Sequence, residues 1–373
     1  MPPLRILQCI RQGQVGGGET HLLSLMEHID KNLFDPLVLS FTDGPMIEAL
    51  HKLRIPTKII PTLKPFDVRV WSKINQFVKQ EKVELIHAHG TRAASNVLWP
   101  AKWNRIPLVY TIHGWSFHKD QSTSVYAFRK MGEQLITKFA NVNISVSASN
   151  QETGFKELSG FNSEVVNNGI DPVKFDPAPP RPNLRAVLEI PESAMLVLFI
   201  ARFTEHKQPL LLLRAFAKAR QLNQKLHLLM VGEGDQKERG ILLSKELGIA
   251  DSVTFLPFRG DVANLLAAGD IFVLPSLWEG LPIGLLEAMA MEKAVVGTNV
   301  DGTREVIEHL HNGLLASGDD MCEAVALSIL HYANDVPLMR KMGKQARQSI
   351  LKNYNVVAMT TAIENIYKKL SNN

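Results

Sequence analysis

The segment Ile271-Phe-Val-Leu-Pro-Ser-Leu-Trp-Glu-Gly-Leu-Pro-Ile-Gly-Leu-Leu-Glu-Ala-Met-Ala290 has the pattern of a buried strand, a loop and an apolar helix. Its first four residues are all apolar, which is typical of a strand that is covered on both faces. Pro282 favours the first turn of a helix, and that helix contains Glu287. A buried strand followed by a helix predicts a parallel sheet in an α/β fold.

The same alternation of strand and helix extends in both directions along all 373 residues. In the first half it predicts strands around 4–10, 36–41, 84–88, 107–112, 141–146 and 164–167, and helices around 19–29, 45–53, 68–80, 91–103 and 124–139. In the second half it predicts strands around 195–201, 225–231, 252–256, 270–274 and 294–297, and helices around 208–220, 234–247, 282–291 and 303–309.

A proline-rich segment interrupts this alternation near the middle of the chain. Asp171-Pro-Val-Lys-Phe-Asp-Pro-Ala-Pro-Pro-Arg-Pro182 carries five prolines in twelve residues, which neither a helix nor a central strand tolerates. We therefore expect two doubly wound parallel-sheet domains, residues 1–175 and 176–355. A final helix over Val356–Leu370 has no strand after it.

Composition and charge exclude several classes of protein. Apolar residues make up 45% and charged residues 21%, which is ordinary for a globular protein and not for a disordered one. The net charge of +4 is too small to suggest a nucleic-acid partner, and its excess lies in the first half. Cys9 and Cys322 stand alone in opposite halves, so we expect two buried thiols and no disulfide.

Neither end of the chain nor its interior has the pattern of a membrane or export segment. No stretch approaches the roughly 20 apolar residues that a bilayer span needs. The apolar run Met195–Ala201 has the length of a strand. The N-terminus enters its first strand without the apolar core of a signal peptide. These observations predict a cytoplasmic protein.

A glycine-rich loop follows the first strand. Gly13-Gln-Val-Gly-Gly-Gly-Glu-Thr20 opens a helix, where backbone N–H groups and the helix dipole favour an anion such as phosphate. An ordinary tight turn is the alternative. The spacing is not G-x-G-x-x-G and no G-K-S/T follows, so neither a dinucleotide fingerprint nor a P-loop is indicated.

Two cations follow the strand that ends at Ala201. Arg202 and Lys207 flank the start of the next helix, where Pro209 takes a favoured first-turn position. A diphosphate suits two cations beside free N–H groups better than a neutral ligand does. Solvated surface cations are the alternative for each residue taken alone.

Two carboxylates mark the quoted segment as the strongest candidate site. Glu279 lies in the loop and Glu287 about one turn inside the helix, so both can face one cleft. A carboxylate accepts two hydrogen bonds at once, which suits the vicinal hydroxyls of a ribose or a hexose. Glu279 alone would equally be a helix cap, whereas Glu287 in an apolar helix would be costly to bury without a partner.

Taken together, these segments resemble the retaining family 4 glycosyltransferases of the GT-B fold, over essentially the whole chain. The most specific part is the E-x7-E pattern of Glu279 and Glu287. Further matching stretches are Gly16-Gly17-Gly18, His87-Ala-His-Gly90, Thr111-Ile-His-Gly114, Asn167-Asn-Gly-Ile-Asp171 with Phe175, Ala201-Arg-Phe-Thr-Glu-His-Lys207, Val231-Gly-Glu-Gly234 and Phe255-Leu-Pro-Phe-Arg-Gly260.

The resemblance implies two Rossmann-like domains that face each other across a cleft, with a nucleotide sugar held mainly by the second. Glu287 would bind the ribose, and Arg202 and Lys207 the diphosphate. Glu279 would hold the transferred sugar. The remaining donor contacts implied are backbone N–H groups of Gly280, Leu281 and Ile283, phosphate contacts from Gly16 and Gly17, and a base site at Phe258 and Arg259. The last helix, 356–373, would return to the first domain.

Histidines form a separate group of candidates. By the resemblance, His113 lies near the anomeric carbon of the sugar and contacts a hydroxyl or a phosphate, although a lone histidine is often structural. His87 and His89 have a spacing that metal ligands use, but the sequence offers no third ligand. We therefore expect them to be structural.

The implied reaction transfers a sugar with retention at the anomeric carbon. No carboxylate stands out as a covalent nucleophile, so we expect front-face attack in which the leaving diphosphate accepts the proton. Arg202 and Lys207 would stabilise the negative charge that grows on it, with Glu279 and His113 at the sugar. The chain has no D-x-D motif, and Glu233-Gly-Asp235 is the nearest match. We expect no metal and no other cofactor.

The acceptor and the donor sugar are not specified by the sequence. UDP is favoured over GDP only by family frequency, and the acceptor would be a sugar or a lipid-linked sugar in polysaccharide or glycolipid synthesis. A helix with Val70, Trp71, Ile74 and Phe77 among basic residues would dock on the inner membrane leaflet or, alternatively, simply cover the core. The basic residues around it are Lys64, Arg69, Lys73, Lys79 and Lys82.

Other functions remain open at this point. A nucleotide-sugar epimerase or a phosphorylase of the same fold would share these motifs, and product analysis would separate them. A non-catalytic sugar-nucleotide binder would bind the donor without turnover. A dehydrogenase is disfavoured because the chain lacks G-x-G-x-x-G.

Overall fold

A computed structural model describes residues 2–13, 16–118 and 121–371. Two compact units divide the chain. Unit 1 extends to Gly169 and includes the segment from Val356 onward, and unit 2 is Ile170–Asn355. Each unit is a parallel sheet with helices packed on it, so the expected doubly wound α/β class is confirmed.

Unit 1 contains a seven-stranded sheet in the order β3-β2-β1-β4-β5-β6-β7. The strands are β1 (Leu4–Ile10), β2 (Phe34–Ser40), β3 (Thr57–Ile59), β4 (Leu85–His89), β5 (Leu108–Ile112), β6 (Val142–Ser145) and β7 (Glu164–Val165). The helices are α1 (Gly17–His28), α2 (Pro45–Lys52), α3 (Val68–Gln80), α4 (Thr91–Asn104), α5 (Thr123–Phe139), α6 (Ala148–Glu157) and, after unit 2, α15 (Val356–Ser371).

The central strands of the unit 1 sheet are buried on both faces, and every residue of β4 and β5 is buried. Successive side chains of β1 alternate between the two faces: Ile6 belongs to one core cluster and Leu7 to the other. Helix α15 packs in the same cluster as Ile6 and beside α1, with Ile363 and Tyr367 fully buried. The C-terminal helix therefore completes the core of unit 1.

Unit 2 contains a six-stranded parallel sheet in the order β10-β9-β8-β11-β12-β13. The strands are β8 (Met195–Ile200), β9 (Leu226–Val231), β10 (Val253–Leu256), β11 (Ile271–Leu274), β12 (Ala294–Thr298) and β13 (Leu314–Ala316). The helices are α7 (Leu184–Val187), α8 (Pro209–Leu222), α9 (Lys237–Glu246), α10 (Val262–Ala268), α11 (Ile283–Ala290), α12 (Asp301–Val306), α13 (Met321–Asn334) and α14 (Val336–Asn353).

Strand order changes direction between β1 and β4 in unit 1 and between β8 and β11 in unit 2. In open parallel sheets the crevice for a ligand lies at such a point, outside the carboxyl ends of the strands. In unit 1 the residues that follow these ends are Gly13 and Gly90. In unit 2 they are Arg202 and the loop that contains Glu279.

The sequence pattern located most elements to within about three residues at their ends. It missed the short strands β3 and β13 and the helices α6, α7 and α10. β3 and β13 have only three residues each, too few to show a period, and α10 has only seven. The predicted helix around 234–247 begins later, at Lys237, because Gly234 has a left-handed φ of 155°.

The apolar face of helix α3 covers the core of unit 1, which is one of the two alternatives that the sequence left open. Val70 and Ile74 are buried in the core of unit 1, and Trp71 and Phe77 pack against it. The apolar face of this helix covers the core, while Lys73 and Lys79 are exposed. Among the described residues, no helix has both the length and the apolar composition to cross a bilayer.

Candidate functional site

Lys207 and Glu279 form an ion pair in unit 2. Lys207 closes a short 3-10 turn after β8, and Glu279 lies in the loop after β11. The Lys207 Nζ donates a hydrogen bond to Glu279, and the Ser276 hydroxyl donates a second one at 2.5 Å. The side chains are 16% and 8% exposed. The cation predicted to bind a diphosphate and the carboxylate predicted to bind a hydroxyl therefore lie in direct contact.

Backbone and ring contacts hold these two loops together. The N–H of Leu277 donates to the carbonyl of His206 at 2.8 Å. The rings of His206 and Trp278 are stacked with centroids 4.4 Å apart. The Thr298 hydroxyl at the end of β12 donates to the carbonyl of Ser276. The Lys207–Glu279 pair is thus supported by three strands of the same sheet.

Helix α12 approaches the Glu279 loop so closely that glycine is required. The N–H of Gly302 donates to the carbonyl of Glu279 at 3.2 Å. A Cβ at position 302 would lie 1.9 Å from the carbonyl oxygen of Gly280, which no side chain can do. Gly302 therefore fixes the position of the loop that presents Glu279.

Arg202 follows β8 in a segment that the next loop of the sheet holds in place. The N–H of Phe203 donates to the carbonyl of Glu233 at 2.9 Å, and a Cβ at Gly234 would lie 2.2 Å from the carbonyl oxygen of Phe203. Arg202 itself is half-buried and makes no ion pair with any residue that the structure describes. Its guanidinium keeps its hydrogen-bonding capacity for a ligand.

Glu287 is a buried carboxylate in the second turn of α11. Its residue is 8% exposed, and within the described part of the chain its side chain accepts no hydrogen bond. Burial raises the pKa of Glu287 to about 7, against the opposing effect of the Lys174 charge. A group left in this state can accept hydrogen bonds from a ligand that carries neighbouring hydroxyls.

The backbone and base candidates of unit 2 lie in the same region of the chain. Ile283 is the first residue of α11, where the helix supplies no carbonyl for its N–H. Gly280 and Leu281 precede it in the Glu279 loop. After β10, Phe258 is 38% exposed, whereas Arg259 already donates two hydrogen bonds to Asp261, at 2.6 and 2.8 Å.

In unit 1, the start of α1 lies beside His113. Gly16 is the cap of α1 and Gly17 its first residue, so their N–H groups lie at a helix N-terminus. A Cβ at Gly18 would come within 3.3 Å of the His113 ring, so the helix approaches the ring edge more closely than a side chain would comfortably allow. His113 is half-buried at the carboxyl end of β5.

A chain of hydrogen bonds runs from His113 through His89, at the end of β4, to buried residues of unit 1. The His113 Nε2 lies 3.1 Å from the His89 Nδ1, and the His89 Nε2 lies 2.9 Å from the Gln8 amide oxygen. The Gln8 amide nitrogen in turn donates to the Tyr367 hydroxyl at 2.9 Å. Because Gln8 accepts from His89, the His89 Nδ1 carries the lone pair and His113 donates its Nε2 proton to it. The His113 Nδ1 is left as an acceptor.

The expectation that no third nitrogen accompanies His87 and His89 is wrong for His89. His21 of α1 and His113 both place ring nitrogens beside it, because α1 packs over the carboxyl ends of β4 and β5. His87 is structural, with its Nδ1 bonded to the Tyr367 hydroxyl at 2.6 Å and its Nε2 to the Thr111 hydroxyl at 2.7 Å. Burial lowers the pKa of all four histidines.

Sequence reasoning did not find Gln8, His21 or Tyr367. A weak signal exists for Gln8, which is a polar residue inside the apolar strand Leu-Arg-Ile-Leu-Gln-Cys-Ile. His21 and Tyr367 lie in amphipathic helices in which their burial depends on tertiary packing.

Glu133 was also missed by the sequence analysis. It is fully buried and accepts hydrogen bonds from Thr91, Tyr110 and Ser116. Burial raises its pKa, and it anchors the loop that follows His113.

The structure thus joins Lys207 to Glu279 and His113 to His89. In the chain as described, no hydrogen bond connects Arg202 or Glu287 to the Lys207–Glu279 pair. The thiols form no disulfide: Cys9 is buried, whereas Cys322 is partly exposed and not buried as expected.

Comparison with known families matches both halves of the chain. Residues 15–174 match the family described as Glycosyltransferase Family 4, and residues 180–349 match Glycosyl transferases group 1. The sequence is 25% identical to the UDP-Gal:alpha-D-GlcNAc-diphosphoundecaprenol alpha-1,3-galactosyltransferase of Escherichia coli, over 92% of both chains. It is 29% identical to the N,N'-diacetylbacillosaminyl-diphospho-undecaprenol alpha-1,3-N-acetylgalactosaminyltransferase of Campylobacter jejuni, over 85% of this chain and 88% of that one.

Solved structures show the same fold. Anabaena HepE in complex with UDP and glucose superimposes with a TM-score of 0.86 and 23% identity, over 98% of this chain and 100% of that one. WaaG, a glycosyltransferase involved in lipopolysaccharide biosynthesis, superimposes with a TM-score of 0.77 and 17% identity, over 97% and 99% of the two chains. The two-sheet architecture is therefore that of the GT-B glycosyltransferases.

Proposed function

This chain belongs to the family 4 glycosyltransferases of the GT-B fold, and from that premise we propose that it moves a sugar from a nucleoside diphosphate sugar to an acceptor hydroxyl with retention at the anomeric carbon. We propose a UDP-sugar as donor in preference to a GDP-sugar. The observation that supports the donor assignment is the contact between Lys207, a cation that suits a phosphate, and Glu279, a carboxylate that suits a hydroxyl, after two adjacent strands.

The donor contacts follow from the chemistry of each group in unit 2. Lys207 and Arg202, which has no ion pair among the described residues, bind the diphosphate, because both are cations in the segment between β8 and α8. Glu279 binds hydroxyls of the transferred sugar, with the N–H groups of Gly280, Leu281 and Ile283. Glu287 binds the ribose, where two hydroxyls satisfy a carboxylate that has no protein donor.

The nucleobase, the phosphates and the sugar involve further proposed contacts. Phe258 offers an exposed ring for stacking on the nucleobase, and Arg259 is held by Asp261 at its edge. Gly16 and Gly17 contribute N–H groups to the phosphates. The acceptor lone pair on the His113 Nδ1 suits a hydrogen bond from a sugar hydroxyl.

The chemical step we propose is front-face attack. As the bond from the anomeric carbon to the diphosphate breaks, negative charge grows on the leaving oxygen, and Arg202 and Lys207 stabilise it. That oxygen accepts the proton of the acceptor hydroxyl as the new glycosidic bond forms. The diphosphate contacts come from side chains and N–H groups, so we propose that transfer needs no divalent metal on the diphosphate and no other cofactor.

The acceptor we propose is a sugar, free or linked to a lipid diphosphate, in polysaccharide or glycolipid synthesis. Two relatives carry diphosphoundecaprenol-linked acceptors in their names, which supports this class. We also propose a cytoplasmic location with peripheral membrane contact. The contact would rest on charge, because the basic side chains of α3, such as Lys73, are exposed while its apolar face is buried.

Product analysis tests the proposed reaction. The purified chain is incubated with UDP-hexoses and a panel of acceptors that includes lipid-diphosphate sugars, and release of UDP is followed together with proton NMR of the glycoside. We expect UDP release that depends on the acceptor and a product with the anomeric configuration of the donor. An inverted product contradicts retention, and an epimerised nucleotide sugar without an acceptor product identifies an epimerase.

Two further measurements complete this test. Activity is compared with and without EDTA: complete loss that Mn²⁺ restores would contradict metal-independent transfer. Co-sedimentation with anionic vesicles is measured for the protein and for Arg69→Glu/Lys73→Glu. Equal binding by both proteins would contradict docking through α3.

A further inference from the structure

Three histidines of unit 1 converge from three different elements. His21 lies in α1, His89 ends β4, and His113 follows β5. Each offers one ring nitrogen, and these nitrogens lie within 4.8 Å of one another. His21 and His89 are each 2% exposed, whereas His113 is half-buried. The cluster is therefore buried at His21 and His89 and accessible to solvent at His113.

Hydrogen bonds to the outer nitrogens orient two of the rings. The Asn168 amide oxygen lies 2.9 Å from the His21 Nδ1, so this nitrogen carries the proton and the Nε2 carries a lone pair. The Gln8 amide oxygen accepts from the His89 Nε2 in the same way and leaves the lone pair on the Nδ1. Histidines that bind metals are held by just such outer partners.

The His21 Nε2 is a second observation that indicates a ligand in this cluster. It is buried, and among the residues that the structure describes it has no hydrogen-bond partner. A buried polar atom without a partner is uncommon in a folded protein and calls for a ligand or an ion.

We propose that the His21 Nε2, the His89 Nδ1 and the His113 Nε2 bind one divalent transition-metal ion of the Zn²⁺ type, with a fourth position open to water or an oxygen ligand. Three imidazoles without a carboxylate suit Zn²⁺ or Co²⁺ and not the hard cations Mg²⁺ and Ca²⁺. This inference does not depend on the proposed function, and it places no metal on the diphosphate.

Metal binding requires one ring of the cluster to move closer to the other two. In a tetrahedral site with metal–nitrogen bonds of about 2.0–2.1 Å, neighbouring nitrogens are roughly 3.3 Å apart. The His89 Nδ1 and the His113 Nε2 are already 3.1 Å apart, so the remaining closure involves His21. On binding, the proton of His113 moves from its Nε2 to its Nδ1, which then donates a hydrogen bond to a sugar hydroxyl oxygen instead of accepting one. Three neutral imidazoles thus hold the ion without net proton release or redox change.

Co²⁺ titration of the full chain without a polyhistidine tag tests the proposal. After chelator treatment and desalting, we expect one Co²⁺ per chain with a visible absorption band of tetrahedral type, and displacement of Co²⁺ by Zn²⁺. His21→Ala and His113→Ala should each weaken binding by more than about 100-fold, which exceeds the loss from removing an outer hydrogen-bond partner. Asn168→Ala removes such a partner and should weaken binding by about 10- to 100-fold.

The control is His51→Ala, which removes an exposed histidine bonded to Thr57 outside the cluster and should bind as the parent does. Circular dichroism of each metal-free variant tests whether the variant is folded. If His21→Ala does not fold, the comparison rests on His113→Ala, which changes the half-buried position. Zn²⁺ should raise the Tm of the parent and of His51→Ala but not of His113→Ala. Absence of a stoichiometric Co²⁺ band in the parent, or equal affinity in the folded cluster variants and His51→Ala, would overturn the proposal.

Discussion

Lys207 and Glu279 form a largely buried ion pair that connects the loop after β8 to the loop after β11. Both loops lie where the strand order of unit 2 changes direction. The pair therefore contributes to stability as well as to the proposed donor site, and the two contributions can be separated.

The first prediction concerns the stability that this pair provides. Lys207→Met leaves the Glu279 carboxylate buried with only Ser276 as a donor, so we expect the free energy of unfolding to fall by about 3 kcal/mol. Adding Glu279→Gln should restore most of it, because no unpaired charge then remains. Urea denaturation measures both. Lys218→Met, which removes an exposed lysine paired with Glu323, is the control and should leave stability unchanged. An equal loss in the single and the double variant would refute this explanation.

The second prediction concerns Arg202 and turnover. Because Arg202 is proposed to stabilise charge that grows on the leaving diphosphate, Arg202→Ala should lower kcat by about 10²- to 10³-fold at saturating donor. Its fold should be unaffected, since Arg202 has no ion pair in the described chain. Steady-state rates are compared with those of Arg214→Ala, which removes an exposed arginine of α8. A near-normal kcat in Arg202→Ala would exclude this role.

The third prediction follows from the raised pKa of Glu287, about 7 in the folded protein against 4.5 for an ordinary glutamate. When the pKa of an acid is higher in the folded state than in the unfolded state, ionisation of that acid lowers the free energy of unfolding of the protein. The loss begins near pH 4.5, grows up to about pH 7 and is constant above that. The shift corresponds to about 3 kcal/mol over this interval.

Glu287→Gln should therefore become more stable relative to the parent as the pH rises from about 4.5 to 7, because glutamine does not ionise. Unfolding free energies from urea curves at four pH values measure this difference. Glu246→Gln is the matched control, since its exposed carboxylate is paired with Arg239 and has a lowered pKa. Parallel pH profiles for the parent and Glu287→Gln would show that burial does not raise the pKa.

The fourth prediction concerns the chain of hydrogen bonds behind His113. Tyr367→Phe removes the hydroxyl that bonds both Gln8 and His87, so we expect a loss of about 1–3 kcal/mol in unfolding free energy. Because Gln8 orients His89 and His89 orients His113, kcat should also fall. Tyr126→Phe removes a hydroxyl bonded to Glu157 nearer the surface and should lose less stability and no activity. Unchanged stability of Tyr367→Phe would mean that the buried chain contributes nothing.

The sequence predicted the fold class because parallel strands buried on both faces form apolar runs that are easy to find. Met195–Ile200 and Ile271–Leu274 are examples. The three-residue strand β13 and the four-residue helix α7 were not predicted, because neither shows the long apolar run of a buried strand or a helical period. The resemblance supplied the GT-B architecture, which the structural comparisons confirm.

The sequence was less informative about the site. It predicted that Lys207 and Glu279 bind a ligand, but 71 residues separate them along the chain, and only the sheet order brings them into contact. The cluster of His21, His89 and His113 depends on how α1 packs over β4 and β5. No local pattern records this packing.

Donor binding tests the central claim most directly, namely that Arg202, Lys207, Glu279 and Glu287 hold one nucleoside diphosphate sugar. Calorimetric titration with UDP-hexoses should give one donor per chain for the parent and for Lys218→Ala. Affinity should fall by about tenfold or more in Arg202→Ala, Lys207→Ala, Glu279→Gln and Glu287→Gln, since each loses a charged hydrogen bond of about 1.5–3 kcal/mol. Parent-like affinity in all four folded variants would contradict the account.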